Sequence, residues 1–391
     1  MTDLLDAAGA LLDDAIELRR RLHRHPELGL ELPKTQEAVL ETLDGLPLTL
    51  TTGTTTTSVV ATLDGEHDGP TILLRGDMDA LPMPEDTDLE FASAVDGTMH
   101  ACGHDAHTAM LASAARLLSD RRGELAGRVV FMFQPGEEGF GGAKFMLEEG
   151  LLSSEPSAAF AIHQTPNLPS GMIAAKGGPM MASSDVLEIT INAQGGHASM
   201  PHLALDPVPI ACEIVTAINA MITRSIDVFD PAVVTIGKIR AGTTSNVIPE
   251  TAYLLGTIRA VSERTRHRVW DGLRRLADGI AAAHGATAEC VVTEGYPVTV
   301  NHNEWVDTSL AVADRTLGEG KAIRMPAPVM GAEDFSYVLQ NVPGAMVFLG
   351  TDPGKGHAAP NHSNRMVIDE SAMASGVALY AAMALEHCRK I

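Results

Sequence analysis

Apolar positions follow two different periods along this chain, and the way they alternate predicts an α/β protein. Short apolar runs predict strands at residues 58–63, 71–75, 128–134, 158–162 and 345–349. Apolar positions at helical spacing predict helices at residues 5–22, 34–43, 104–119, 142–149 and 370–387. Apolar strands that alternate with helices are typical of a mixed, mainly parallel sheet flanked by helices.

A different pattern interrupts this layer in the middle of the chain. Alternating or apolar runs predict strands at residues 185–193, 232–239, 250–260 and 287–293. Helices are predicted at 206–223 and 262–284, and each has a residue typical of an N-cap at its start. The resulting order, β-α-β-β-α-β, is that of the ferredoxin-like unit. We therefore predict a larger α/β domain of residues 1–183 and 295–391, with an inserted α+β domain of residues 184–294.

Composition narrows the classes of partner and the compartment. The formal net charge of −22 argues against nucleic acid as a partner, because nucleic-acid binders need a basic surface. No apolar run reaches the ~18 residues of a membrane span, so no membrane association is expected. The N-terminal segment is acidic and amphipathic, and therefore does not resemble a signal peptide. The four cysteines lie far apart, which indicates a reducing compartment and predicts a cytoplasmic protein.

The densest chemical signal is a cluster of metal-binding residue types at residues 100–107, with three histidines, a cysteine and an aspartate. The cluster precedes a predicted helix, at the kind of sheet edge where α/β proteins form ligand sites. Cys102 and His104 are two residues apart, and both side chains can face one ion. A structural zinc site would need further cysteine or histidine pairs at short spacing, and the sequence has none. The alternative is a polar helix start with chance histidines.

Two adjacent carboxylates, Glu137 and Glu138, follow the apolar run at 128–134. Adjacent negative charges at a strand end are unfavourable unless a cation compensates them. One carboxylate can bind a metal ion while the other acts on a metal-bound water. The alternative is an exposed acidic loop.

Weaker signals come from isolated polar residues that follow predicted strands. Asp79 follows the run at 71–75, where an aspartate can orient a histidine ligand or simply form a turn. His163 directly follows the run at 158–162, and His362 lies near the C-terminus. Each histidine alone would be an ordinary polar residue, and this is our interpretation of His357.

The predicted inserted domain has its own polar set. His197 follows its first strand, Asn246 precedes its third strand, and Arg259 lies at the end of that strand. A histidine, an amide and a guanidinium suit the recognition of a carbonyl and a carboxylate. Arg259 could instead be the partner of a structural ion pair.

Taken together, these motifs resemble the amidohydrolase family of hippurate hydrolases, auxin-conjugate hydrolases and N-acyl-amino-acid deacylases, within the wider aminoacylase and carboxypeptidase clan of two-metal peptidases. The matching stretches follow the family order along nearly the whole chain, at residues 23–28, 76–82, 99–108, 133–150, 163–171, 195–202, 245–250, 256–259, 331–336 and 361–363.

The resemblance implies a role for each candidate residue. Two divalent ions, with the cysteine thiolate bridging them, would be held by Cys102, His104, Glu138, His163 and His362. Glu137 would be the general base, and Asp79 would support the ligands. His197 would donate to the substrate carbonyl, and Asn246 and Arg259 would contact the substrate. A thiolate and imidazoles suit zinc, while manganese, cobalt or nickel are alternatives.

The resemblance also implies the reaction and the assembly. The expected reaction is hydrolysis of the amide bond of an N-acyl amino acid, with an N-acetyl, benzoyl or similar group, to a carboxylic acid and a free amino acid. The inserted domain would act as a lid and join two subunits into a homodimer. A dipeptidase or carboxypeptidase with the same metals is the main alternative. Less favoured alternatives are an amidase that uses Cys102 as its nucleophile and a metal-binding protein without activity.

Overall fold

The chain folds into two compact units, each with its own sheet and its own apolar core. The computed structural model describes residues 2–354 and 359–389. The first unit consists of Met1–Gly178, Val300–Ala327 and Asp334–Ile391, and the second of Pro179–Thr299 and Pro328–Glu333. Within the described residues, no helix is both long and apolar enough to span a bilayer.

The N-terminal part of the first unit alternates helices with strands. The helices are α1 (Thr2–Ala10), α2 (Leu12–Arg24), α3 (Pro33–Leu43), α4 (His104–Asp120) and α5 (Gly142–Glu148). The strands are β1 (Thr49–Thr52), β2 (Val59–Asp64), β3 (His67–Asp77), β4 (Ala126–Gln134), β5 (Ala158–Thr165) and β6 (Ile173–Ala175).

The single helix predicted at residues 5–22 is wrong, because the helix is interrupted at Leu11. The Leu11 N–H donates to the Ala8 carbonyl at 3.1 Å, which is a tighter turn than an α-helix makes. Gly9 lies just before the break, and glycine is a weak helix former. The interruption lets two short helices pack against different neighbours instead of one straight helix.

The second unit is an antiparallel sheet covered by two helices. Its elements, after the leading strand β7 (Gly178–Met181), are β8 (Asp185–Asn192), β9 (Gly196–His197), α6 (Pro207–Ser225), β10 (Ala232–Ala241), β11 (Val247–Ile248), β12 (Thr251–Ala260), α7 (Glu263–Ala283) and β13 (Thr287–Thr293). The main sheet has the order β10-β12-β8-β13. Asp206 accepts from the Val208 N–H at 2.9 Å and Ser262 from the Thr265 N–H at 3.1 Å, so both predicted N-caps form.

The chain then returns to the first unit and completes its sheet. The remaining elements are β14 (Thr299–Asn301), α8 (Asn303–Leu317), β15 (Ala322–Arg324), α9 (Ser336–Leu339), β16 (Gly344–Gly350) and α10 (Met373–His387). The order of the large sheet is β1-β2-β4-β3-β5-β16-β6-β15. Four of its pairings are parallel (β4 with β3, β3 with β5, β5 with β16, β6 with β15), which confirms the mixed, mainly parallel sheet.

The central parallel strands determine where a site can form. Because β3, β4 and β5 run in the same direction, their carboxyl ends meet at one edge of the sheet. Helix α4 begins at that edge and is buried along most of its length, with small residues such as Ala106 and Ala109 facing the core. The segments that follow these strands are therefore held against a rigid interior.

Candidate active site

Five potential ligand side chains converge at this edge of the first unit. The ligand atoms of Cys102, His104 and His163 lie within 4.8 Å of one another. A second group with the same spacing consists of Cys102, Glu138 and His362. The two groups share Cys102. Together they contain all five residues for which the family resemblance implies a role as metal ligands.

His104 has the environment of a cation ligand. Its ring is fully buried, and neither nitrogen makes a hydrogen bond with a described residue. Nε2 lies 3.5 Å from an Asp77 oxygen and Nδ1 lies 3.5 Å from an Asp79 oxygen. Burial lowers the pKa of His104, but the negative charge of Asp77 and the neighbouring groups outweigh it and raise the pKa well above its usual value. The pocket therefore favours a positive charge, and its donor set of thiol, imidazole and carboxylate fits a divalent metal ion.

Cys102 and His163 lie side by side in the cluster. The Cys102 Sγ lies 3.5 Å from the His163 Nε2, while the His163 Nδ1 donates to the Gln164 carbonyl at 2.7 Å. The ring proton is thus on Nδ1, and the Nε2 lone pair faces the thiol. Burial raises the pKa of Cys102 and lowers the pKa of His163. These shifts disfavour a thiolate–imidazolium pair between Cys102 and His163.

His362 reaches the cluster from a backbone conformation that non-glycine residues rarely adopt. Its φ is +65°, and its N–H donates to the Ala101 carbonyl at 2.8 Å. Its Nε2 lies 3.1 Å from a Glu138 oxygen. Hydrogen bonds with Cys102 and Glu138 raise the pKa of His362 to about 10. Backbone strain of this kind concentrates at functional positions.

The Glu137–Glu138 segment is fixed by Asp79. The two Asp79 carboxylate oxygens accept the N–H groups of Glu137 and Glu138, each at 2.9 Å. Gly136 turns the chain there with a φ of +72°, and an added Cβ would lie 2.5 Å from the Leu30 side chain. The Glu137 carboxylate lies within 4.8 Å of ligand atoms of His104 and Glu138. The Glu137 carboxylate, which is not one of the five candidate ligands, therefore lies next to them.

His107 lies beside the cluster, but its hydrogen bonds give it a structural role. Its Nδ1 bonds to an Asp77 oxygen at 2.5 Å, and its Nε2 accepts the Gln164 N–H at 2.7 Å. Asp77 also accepts from the buried Arg75 at 2.7 Å. Because both ring nitrogens are engaged, His107 has no lone pair left for a metal ion.

A buried charge network behind the cluster was missed by sequence reasoning. Asp105 accepts from the Arg19 Nε at 3.0 Å and bonds to the His23 Nδ1 at 2.7 Å. The other His23 nitrogen lies 3.2 Å from Glu85. The signals in the sequence were the position of Arg19 and His23 on the buried face of an amphipathic helix, the family-like stretch at 23–28 and the place of Asp105 in the cluster at 100–107.

The candidate residues of the second unit lie at two separate positions, the β9–β11 ribbon and strand β12. His197 and Asn246 belong to the small β9–β11 ribbon, where the Ala198 N–H donates to the Asn246 carbonyl at 3.1 Å. His197 is exposed, and its Nδ1 accepts the Ser199 N–H at 3.1 Å. Nε2 of this ring therefore carries the proton and can donate it in a hydrogen bond.

Arg259 lies on β12, away from that ribbon in the strand order. Its Nη1 donates to the Ser184 Oγ at 2.5 Å. Among the described residues it forms no ion pair with a carboxylate at contact distance, although the negative charge of Asp185 acts on the guanidinium. His357, interpreted as an ordinary polar residue, lies outside the described residues.

Comparisons with known proteins agree with this geometry. The family described as peptidase family M20/M25/M40 matches residues 73–386. The chain is 40% identical to thermostable carboxypeptidase 1 of Saccharolobus solfataricus, over 97% of this chain and 96% of the relative. It is also 40% identical to N-acetylcysteine deacetylase of Bacillus subtilis, over 95% and 96%.

A solved structure extends this agreement to the fold. A dinuclear metal-binding peptidase of the M20 family from Bacillus subtilis superposes with a TM-score of 0.84 at 37% identity, and the match covers 97% of this chain and 99% of that one. Both the sequence and the fold therefore match over almost the whole chain. The chain belongs to peptidase family M20/M25/M40 and is a metal-dependent amidohydrolase of that family.

Proposed function

We propose that this enzyme cleaves the amide bond of N-acyl amino acids, with an N-acetyl, benzoyl or similar group, to a carboxylic acid and a free amino acid. One observation carries the proposal: two ligand groups share Cys102, and the Glu137 carboxylate adjoins them. A base placed beside a paired metal site is the arrangement that hydrolyses an unactivated amide. Deacetylases among the relatives support the acyl-amino-acid substrate.

The metal requirement is two divalent ions per subunit. Cys102, His104 and His163 would hold one ion, and Cys102, Glu138 and His362 the other. When bound, the ions polarise the scissile carbonyl and lower the pKa of water. The preset His163 tautomer presents a lone pair without a change of protonation. Thiolate and imidazole donors favour zinc, and manganese, cobalt and nickel are alternatives.

Glu137 would carry the proton in both halves of the reaction. Its carboxylate takes a proton from the attacking water and then gives it to the leaving nitrogen. Asp79 fixes the Glu137 backbone, so the carboxylate needs little reorganisation between the two transfers. Glu138, one residue along, remains a ligand.

The second unit would supply substrate recognition. The Nε2 proton of His197 suits a hydrogen bond to the carbonyl oxygen as negative charge develops on it. Arg259, whose guanidinium donates to the Ser184 hydroxyl, suits the free carboxylate of an N-acyl amino acid. Asn246 would add a polar contact to the substrate.

Assembly and location complete the proposal. The inserted domain, predicted at residues 184–294, would act as a lid and join two subunits. Light scattering in solution tests the expected homodimer. The cysteines Cys102, Cys212, Cys290 and Cys388 are all free, which supports a reducing, cytoplasmic compartment. Nucleic acid and membranes are not proposed as partners, since the net charge is −22.

A second candidate function is cleavage of dipeptides or of C-terminal residues from peptides. It is favoured by the relative named thermostable carboxypeptidase 1, which is as similar to this chain as the deacetylase. Both substrate classes present a free carboxylate beside the scissile amide. They differ in the α-ammonium group that a dipeptide places next to the carbonyl.

The test is hydrolysis of matched substrates by metal-stripped protein, with and without added zinc, manganese, cobalt or nickel. N-acetyl-, N-benzoyl- and glycyl-derivatives of one amino acid would be compared by release of that amino acid. We expect metal-dependent release, faster from the N-acyl compounds. Faster release from the glycyl compound would favour the second candidate. Release that survives chelation and stops on alkylation of Cys102 would contradict the metal mechanism.

A further inference from the structure

A buried amide side chain, Gln164, joins segments that carry different candidate ligands. Gln164 follows His163 on β5 and has no exposed surface. Its Nε2 donates to the Cys102 carbonyl at 2.7 Å and to the Asn361 Oδ1 at 2.9 Å. Its Oε1 accepts the Thr351 hydroxyl at 2.7 Å. Both amide protons and the oxygen are therefore engaged, which fixes the orientation of the side chain.

The turn that carries two of the candidate ligands rests directly on this amide. Gly103, between Cys102 and His104, has a φ of +82°. A Cβ added there would lie 2.5 Å from the Gln164 Nε2 and 2.6 Å from its Cγ. The Cys102–His104 turn thus approaches Gln164 so closely that only glycine fits between them.

The same residue is bonded to the loop of another candidate ligand. Asn361 immediately precedes His362, and its Nδ2 donates back to the Gln164 carbonyl at 3.3 Å. His163 donates to that carbonyl as well, at 2.7 Å. These bonds to the backbone carbonyl could form with any residue at this position, whereas the bonds to the Cys102 carbonyl and to the Asn361 Oδ1 require the side-chain amide.

We propose that the Gln164 side chain is a positioning residue that sets the separation of Cys102 and His362, and through it the affinity for the ion held by Cys102, Glu138 and His362. The inference rests on the metal site of the proposed function. His362 needs such support, because its left-handed backbone is unfavourable and its side chain is half-exposed. Residues that orient ligands in this way typically contribute about 10–100-fold to metal affinity.

The experiment uses the full chain, stripped of metal and titrated with cobalt(II). The thiolate–cobalt absorption band reports Cys102, and a competing chelator gives the affinity of each ion. Gln164→Leu removes the amide at similar volume. Gln36→Leu is the control for the same substitution, because Gln36 donates a single side-chain hydrogen bond, to the Ser58 carbonyl at 3.2 Å, and lies apart from the ligands. Asn361→Ala cuts the link to His362 at a partly exposed position that folding should tolerate.

We expect Gln164→Leu and Asn361→Ala to lower the affinity for the ion held by Cys102, Glu138 and His362 about 10–100-fold. The affinity for the other ion should fall less. Gln36→Leu should bind both ions like the unmodified chain. A purely structural defect would instead lower the melting temperature of the metal-free protein and reduce the affinity for both ions equally. That result would overturn the inference. Unchanged affinities in Asn361→Ala would overturn it too, even if Gln164→Leu failed to fold. If the unmodified chain bound no cobalt through a thiolate, the proposed metal site would be wrong, and this inference would be wrong as well.

Discussion

Asp79 accepts the backbone N–H of Glu137 at 2.9 Å through one carboxylate oxygen, and its other oxygen accepts the next N–H along the chain at the same distance. One buried side chain thereby holds two consecutive peptide groups. The proposed base and its neighbouring ligand are thus positioned by the same carboxylate, which lies two residues after the end of strand β3.

Replacing Asp79 by asparagine should slow the reaction without unfolding the protein. An asparagine offers one acceptor but turns its NH₂ group toward the second N–H, so one of the two bonds is lost. We expect kcat to fall about 10–100-fold, with the melting temperature of the metal-free protein only slightly lowered. Asp88→Asn, at an exposed position, is the control. Unchanged kcat in Asp79→Asn would show that the segment does not need this anchor.

Glu137→Gln should abolish turnover while leaving metal content intact. The amide keeps the shape of the carboxylate but cannot accept and return a proton, and acid–base groups contribute about 10²–10⁴-fold to rate. Metal analysis together with kcat separates this effect from loss of an ion, which we expect instead from Glu138→Gln. Glu148→Gln, on the surface, controls for the charge change. A Glu137→Gln enzyme that retained more than about a hundredth of its rate would contradict the role.

Arg259→Met should weaken binding of substrates that carry a free carboxylate. A charge-assisted hydrogen bond contributes roughly 1.5–3 kcal/mol, so KM should rise about 10–100-fold with a smaller change in kcat. The corresponding N-acyl amino-acid amides, which lack the carboxylate, should be processed equally by both proteins. Arg268→Met, at an exposed position of α7, serves as the control. An equal loss on both substrate types would refute carboxylate recognition by Arg259.

Asp105→Asn should destabilise the fold strongly. It would remove the carboxylate that lies 3.0 Å from the buried Arg19 guanidinium, which among the described carboxylates keeps only Glu370 at 2.8 Å. It would also take from the buried His23 ring its partner at 2.7 Å. Removing one partner of a buried pair costs about 3–5 kcal/mol, measured as the free energy of unfolding of metal-free protein in urea. The exposed Arg128–Asp64 pair is the comparison, and Asp64→Asn should cost at most about 1 kcal/mol. Similar losses in both variants would show that burial adds nothing to the Arg19–Asp105 pair.

Stability should also depend on pH through His23. Burial lowers the pKa of this ring, but Asp105 and Glu85 outweigh burial, and the net pKa is raised above 6.5. Because the folded pKa exceeds the unfolded one, the stabilisation is complete below pH of about 6.5 and is lost as the pH rises through the folded pKa. The difference in unfolding free energy between the unmodified chain and His23→Gln should therefore shrink as the pH is raised. A difference that grows with pH would mean that the ring is neutral in the fold.

Local sequence signals predicted the parts of the fold that depend on neighbouring residues. Apolar runs located β3, β4 and β5 because these strands are buried on both faces. Polar residues directly after such runs then had to lie at one sheet edge, as Asp79 and Glu137 do. The N-caps Asp206 and Ser262 were recognisable because capping acts within three residues.

Long-range relationships could not be predicted in the same way. Gln164 bonds to Asn361 across 197 positions, and Arg19 bonds to Asp105 across 86. A glutamine after a strand and an arginine on a helix are ordinary in sequence, and only the fold gives them partners. Helix α8 was missed as well, although its buried positions include Val306 and Val312.

The second unit takes residues from two separate stretches of the chain, and this limits how it can be handled as an independent piece. Val329, in the later stretch, donates to the Met180 carbonyl at 2.9 Å, and the Ala182 N–H bonds to the carbonyls of Val329 and Gly331. A recombinant fragment cut at 179 and 299 would therefore expose unpaired backbone along its first strand. Such a fragment should aggregate through that edge unless residues 328–333 are grafted back, so the smallest separable form of this unit is discontinuous in sequence.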